Sequence, residues 1–278
     1  MKLLRFIFLS VSLLLSTALF AETNTHFADR PDVKVFIQEM VKQYHFDPIA
    51  LTNVFNQVQP DETSITHMER PFEAKPWYVY REHFMTDKRI KGGVAFWQKY
   101  QGALVKASRD TGVPPEILVA IIGVESHYGS MRGKFSAIDV LSALAFDFPR
   151  RSAFFRWELK QYLLLCREQG WDPLTIKSSY AGALGQPQFM PSSYRRFARA
   201  YDGGKKIDLF DNEYDVIESI ANYFAQHGWE ANMPIASVAN IKGELYLKLP
   251  SEAIITDKMF KPKFTLHSFE KYGVTPVE

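Results

Sequence analysis

Cysteine is almost absent. Cys166 is the one thiol among 278 residues, so no internal disulfide can form and stability has to come from a packed core. Cys166 falls in the stripe Phe155, Leu159, Tyr162, Leu163, Cys166. It therefore reads as a small buried hydrophobe on a helix rather than a nucleophile. Charge of either sign is not in excess. The formal net charge is +2, and no basic run interleaved with aromatics appears, so a nucleic-acid partner is not expected. Metal-site spacing is missing as well. The seven histidines are scattered and none forms an HExxH pair, so no metal and no cofactor is expected. Beyond the first segment no run is long and apolar enough to span a bilayer. Internal repeats and low-complexity tracts are also absent.

The first segment carries an export pattern. Lys2 and Arg5 precede an apolar stretch from Phe6 to Phe20, about fifteen residues and within the signal-peptide range. Ala21 before Glu22 suits a cleavage point, which implies a periplasmic protein. The rest reads as mainly α. Val33, Phe36, Ile37, Met40 and Tyr44 share one face of a helix opened by Pro31. Further helices are predicted over Pro48–Gln57, Gly93–Ser108, Pro114–Tyr128, Ser136–Phe146, Ser152–Glu168, Ser192–Ala200 and Asp215–His227. Asp215 with Glu218 suggests a capping box for the last of these. The aromatic, proline-rich stretch from Thr63 to Asp87 reads as irregular, and Glu244 to Leu249 as β-like.

Two segments carry chemistry. In the first, Pro114 and Pro115 open a helix that Gly129 closes. Glu125 lies four residues after Ile121 and seven after Leu118, which places it on the face formed by Ile117, Leu118, Ile121 and Val124. A carboxylate on an apolar face is partly desolvated. Desolvation raises its pKa and suits it to donate a proton to a glycosidic oxygen. A structural pairing with a buried arginine is the alternative use of such a group. The second segment, Ser178 to Tyr194, is rich in glycine and small residues and lets a backbone approach a ligand closely. Its Ser179, Gln186 and Gln188 offer hydroxyl and amide groups for sugar hydroxyls and N-acetyl groups. The aromatic content of 14% fits stacking on sugars as well as core packing.

Taken together, these segments resemble the lytic murein transglycosylases, in particular the membrane-bound lytic transglycosylase B family and its soluble relatives. The resemblance rests on IIGVESHYG at Ile121–Gly129, LSALAFDFPRR at Leu141–Arg151, SYAGALGQPQFMPSSY at Ser179–Tyr194 and SIANYFAQHGW at Ser219–Trp229. RPFEAKPWYVYREHF at Arg70–Phe84 is similar too. It runs from about Pro31 to the end of the chain. It implies a mainly α, lysozyme-like catalytic domain with an N-terminal helical region and a small β-containing C-terminal segment. The corresponding division is a signal peptide over 1–21, a helical region over 22–92, a catalytic core over 93–232 and a short segment over 233–278. It implies Glu125 as the single catalytic acid/base, and Ser179, Gln188, Tyr80 and Tyr223 as glycan contacts. Arg150 and Arg151 would suit carboxylates of the peptide stem. The implied activity is cleavage of the β-1,4 bond between N-acetylmuramic acid and N-acetylglucosamine in peptidoglycan strands, leaving 1,6-anhydromuramic ends. A hydrolytic muramidase and a non-catalytic peptidoglycan-binding protein are the alternatives. A monomer is expected, with cell-wall synthesis or remodelling proteins as further partners.

Two departures from the family carry expectations. In the stretch Ala200 to Asp211, where the family member that names the group has a calcium loop, Ala200 and Gly204 replace carboxylates and Lys205 and Lys206 add like charge. Weak or no calcium binding follows. The chain also stops at Glu278, before a tyrosine-rich segment that lines the cleft in the family. A more open or impaired cleft is expected from that.

Overall fold

The computed structural model describes residues 26–70, 75–250 and 264–277. The expected export segment lies outside these residues, as does part of the Arg70–Phe84 match. Eleven α-helices and four short strands make up the described part. Among the described residues no helix is long and apolar enough to cross a membrane.

The N-terminal layer is α1 (Pro31–Tyr44), α2 (Pro48–Asn56), α3 (Glu62–Glu69) and α4 (Trp77–Phe84). Helix α1 has Pro31 at its first position and ends on His45 in the left-handed region, which suits the fixed φ of proline at a helix start. Its buried face is Val33, Phe36, Ile37 and Met40, the stripe read from the sequence. Helices α3 and α4 fall where an irregular segment was expected. The aspartate Asp61 caps α3 by accepting from Thr63 N and Ser64 N, and Pro76 opens α4. These caps start helices that the crowded aromatics conceal in a hydrophobic pattern.

The body is built on α5 (Asp87–Thr111), α6 (Pro115–Ser126), α7 (Ala137–Phe146), α8 (Ser152–Gln169), α9 (Pro191–Phe197) and α10 (Glu213–Gln226). Helix α7 lies at the centre, with every residue from Val140 to Ala145 buried, and packs on α8. Leu118, Ile122, Leu141, Leu144, Leu159 and Tyr162 are fully buried. Each such aliphatic side chain contributes about 1.5–3 kcal/mol on leaving water. Cys166 sits in this core at 2% exposure, and burial pushes its thiol up to about 12.

Helix α10 begins two residues earlier than expected. Its cap is Asn212, whose side chain accepts from Tyr214 N, not an Asp215–Glu218 box. Asp215 does other work, accepting from Tyr201 N and Asp208 N, both at 2.9 Å. Strands β1 (Phe135–Ser136) and β2 (Lys177–Ser178) form one antiparallel pair. In the C-terminal segment β3 (Ala239–Ile241) pairs antiparallel with β4 (Val274–Pro276), and α11 (Leu266–Glu270) precedes β4. The β-like stretch expected at Glu244–Leu249 is instead a 3-10 turn over Leu245–Lys248. The strand of this segment lies a few residues earlier.

Candidate active site

Helix α6 is apolar all round, so its hydrophobic pattern alone does not choose the face that is buried. Packing on α5 and α10 makes that choice. The buried residues are Leu118, Val119, Ile122, Gly123 and Ser126. Val124 and Glu125 are exposed. The expected face, Ile117, Leu118, Ile121 and Val124, is therefore turned by about one position. Glu125 stands beside the buried stripe, on the side that faces the cleft, rather than within it.

The end of α6 is shaped by an unusual run of backbone. His127, Tyr128 and Gly129 all have positive φ, at 51°, 59° and 81°. This reverses the chain and folds the Tyr128 ring back over α5 and α6. The phenol donates to Arg89 O at 3.1 Å, and a Cβ on Gly123 would come within 2.4 Å of its oxygen. Glycine is required there by this close approach. Ser126 holds the turn from beneath, donating to Ile122 O at 3.3 Å and accepting from Gly129 N at 3.0 Å. Glu125 thus projects from the last turn of a helix whose end is locked by Tyr128 and Ser126.

Opposite stands the loop from Ser179 to Phe189. Leu184 and Phe189 pair through two backbone bonds of 2.8 and 3.1 Å, closing a tight hairpin. Gln188, at the left-handed φ of 51°, donates through Nε2 to Gly185 O at 2.8 Å and Arg132 O at 3.4 Å. Ser179 Oγ accepts from Ala181 N and Ala183 N at 3.2 and 3.1 Å, which leaves its own proton to donate. Gln186 is buried instead and donates to Phe210 O at 3.1 Å. It ties the hairpin to the loop before α10 rather than to a ligand.

Between these elements lies a cleft of about 620 Å³. Glu125, Ser179 and Gln188 line it together, brought from two segments of which Glu125 and Ser179 are 54 positions apart. Glu125 is the one carboxylate among its described lining residues. The acids nearest in sequence are engaged elsewhere: Asp139 accepts from Gln59 N at 2.9 Å and Asp147 pairs with Arg30 at 2.8 Å. The sequence reading missed His83, His127, Arg132, Lys134 and Tyr180, which line the cleft as well. His127, two residues after Glu125, and Tyr180, next to Ser179, stood within the motifs already singled out. Partial burial, with the positive charges of Arg89 and Lys88, lowers the His127 pKa. Arg132 bonds Phe210 O and Asp211 at the cleft margin.

The remaining candidates are not among the residues that line this cleft. Tyr80 packs against Phe84, a lining residue, at 4.8 Å. Tyr223 sits on α10 between Phe189 and Phe197, at 5.3 and 5.1 Å. Burial raises the pKa of its hydroxyl, and the negative charge of Glu125 raises it further. Arg150 and Arg151 are exposed in the 3-10 turn Pro149–Arg151 and do not line the cleft. The Arg151 guanidinium lies over the Phe154 ring at 4.3 Å.

A lysozyme-like helical fold with a polar and cationic cleft at a helix end defines the class of glycan-cleaving enzymes. The comparisons with known proteins agree. Residues 28–278 match the family described as the transglycosylase SLT domain. The chain is 37% identical over 260 residues to membrane-bound lytic murein transglycosylase B of Escherichia coli strain K12, spanning 90% of this chain and 69% of that protein. Its fold is similar to the crystal structure of soluble lytic transglycosylase SltB1 from Pseudomonas aeruginosa, with 41% identity and a TM-score of 0.78, covering 89% of this chain and 82% of that one. It is also similar to the Escherichia coli lytic transglycosylase SLT35 in complex with calcium, with 37% identity and a TM-score of 0.79, covering 91% and 77%. The chain belongs to the transglycosylase SLT domain family.

The calcium in that last relative does not fit the donors present here. Asp202 accepts from Gly204 N, Asp208 from Phe210 N and Asp211 N, and Asp215 from Tyr201 N and Asp208 N. Asp211 is paired with Arg132. The loop carboxylates close the loop on itself. Among the described residues no group of three or more His, Cys, Asp or Glu side chains is placed to hold a metal.

Proposed function

We propose that this protein is an exported lytic transglycosylase that cleaves the β-1,4 bond between N-acetylmuramic acid and N-acetylglucosamine in peptidoglycan strands, with Glu125 as its acid and base. The observation that carries this reading is the single carboxylate in the cleft, facing the polar groups of Ser179 and Gln188. Glycosidases that add water generally place a second carboxylate across the bond. The described lining of this cleft supplies none, which supports a nucleophile that comes from the substrate.

A strand lying in the cleft takes Glu125 out of water, which favours its protonated form. The acid then gives its proton to the bridging oxygen as the bond from that oxygen to the muramoyl C1 breaks. The N-acetyl carbonyl of the same sugar supports the developing positive charge at C1. Glu125, now a carboxylate, takes the proton from the C6 hydroxyl as its oxygen bonds to C1 and closes the 1,6-anhydro ring. Protons balance over the cycle and no water is consumed. Ser179 and the Gln188 amide would hold sugar hydroxyl and N-acetyl groups in place, which is where positioning lowers the barrier. The cations Arg132 and Lys134 suit carboxylates of the stem.

Turnover of purified sacculi by wild type and Glu125→Gln tests this. Gln is nearly isosteric but cannot cycle a proton, so the variant should fold normally and lose at least about a hundredfold in rate. Near-normal release of soluble fragments by a well-folded Glu125→Gln protein would remove Glu125 from the mechanism.

A further inference from the structure

Tyr223 connects the cleft to a second hollow. Its ring packs on Phe189, the chain neighbour of the cleft-lining Gln188, at 5.3 Å. It also packs on His227, just past the end of α10, at 4.0 Å with the planes tilted by 31°, and meets Phe197 edge to face at 5.1 Å. Phe197 and His227 in turn line a cavity of about 540 Å³ between α8 and α9, with Trp157, Gln161, Ser193 and Arg196 on its walls.

The floor of this cavity is fixed. Glu158, 2% exposed, accepts from Ser192 N at 2.9 Å and Ser192 Oγ at 2.7 Å. Arg195 donates to both oxygens of Glu168, at 2.9 and 2.6 Å, and bonds Gln161. These bonds join α9 to α8 and engage both carboxylates. Two groups on the rim are left over. Trp157 is 50% exposed and meets no other ring among the described residues. Arg196 lies against the Phe197 ring at 5.1 Å and forms no ion pair among the described residues. A half-exposed indole offers a flat face to the apolar side of a pyranose, hydroxyl and amide groups suit N-acetyl and hydroxyl groups, and a cation suits a carboxylate.

We infer that the hollow between α8 and α9 is a distal glycan subsite, in which an N-acetylated sugar further along the same strand stacks on Trp157 and sets a carboxylate against Arg196. This rests on the reading of the Glu125 cleft as the place of cleavage, since Phe189, Tyr223 and His227 pack in a row from the cleft loop to the second cavity. The subsite makes binding depend on strand length and favours long strands over fragments.

Binding to the Glu125→Gln protein tests it, with peptidoglycan glycan strands of two lengths as probes: a tetrasaccharide that covers the cleft alone, and long strands. Adding Trp157→Ala should weaken long-strand binding about fivefold, the scale of one lost aromatic contact, and leave tetrasaccharide binding unchanged. Trp157→Phe should restore most of the loss, and Arg196→Gln should weaken long-strand binding and reduce its salt dependence. Equal long-strand affinity with and without the indole overturns the proposal. An equal loss at both lengths overturns it too, because it marks damage to the cleft or the fold. If wild type fails to cleave sacculi while the length-selective loss persists, the cleavage reading fails and the subsite stands.

Discussion

At the scale of single residues, the chemistry of each buried polar group follows from what it touches. Glu158 is a carboxyl in the core whose hydrogen bonds run to Ser192 alone. Burial raises its pKa above the ordinary glutamate value, and the two bonds from Ser192 offset only part of that. The folded state therefore takes up a proton at a higher pH than the unfolded chain. The resulting stability is present in full below the unfolded value of 4.5 and is lost as pH rises through the folded one. Wild type should gain unfolding free energy as pH falls across that window, and Glu158→Gln should show a flatter profile in denaturant titrations at several pH values. Glu158→Ala strands the Ser192 N–H and should cost about 1–3 kcal/mol. Cys166, with a buried thiol pushed up to about 12, should react with a thiol reagent only on unfolding. Its place in the core was legible in the stripe it shares with Phe155, Leu159, Tyr162 and Leu163. The face of Glu125 was not, because α6 carries apolar residues on every side and only its neighbours decide which side they cover.

At the scale of elements, the cleft depends on two backbone devices. One is the approach of the chain after α6 to β2. Gly133 has φ of 93°, and a Cβ there would meet Ser178 O at 2.1 Å. Gly133→Ala should destabilise the protein by about 2 kcal/mol or more and loosen the β1–β2 pair, beyond the usual cost of alanine at positive φ. Thermal unfolding measures the first effect, and hydrogen exchange at Ala137 N, which donates to Ile176 O, reports the second. The other device is the loop from Tyr201 to Asp215, closed by its own carboxylates. Adding calcium should leave its melting temperature unchanged, whereas Asp215→Asn should lower it, because two N–H donors lose a charged acceptor. A calcium-dependent rise in melting temperature would mean that the loop opens to take the ion. The lysines and missing acids of this loop were visible in the sequence. The caps of α3 and α10 were harder to read, since Asp61 and Asn212 each stand among other polar residues able to do the same work.

At the scale of the whole molecule, one core joins the N-terminal helices to the body, and the cleft forms where α6, the Ser179–Phe189 loop and α4 meet. The mainly α class and the pairing of Glu125 with Ser179 and Gln188 were readable because long motifs carry them in order. His83 and Tyr180 lie inside quoted motifs, but nothing in the sequence says which residues of a motif turn toward the cleft, and Arg150 and Arg151 carry a family motif without lining it. The central claim is that the substrate supplies its own nucleophile. Mass spectrometry of the muropeptides released from sacculi measures this most directly. The account predicts fragments ending in 1,6-anhydromuramic acid, lighter by one water than the hydrolysis products. Reducing muramic ends as the sole product would contradict it.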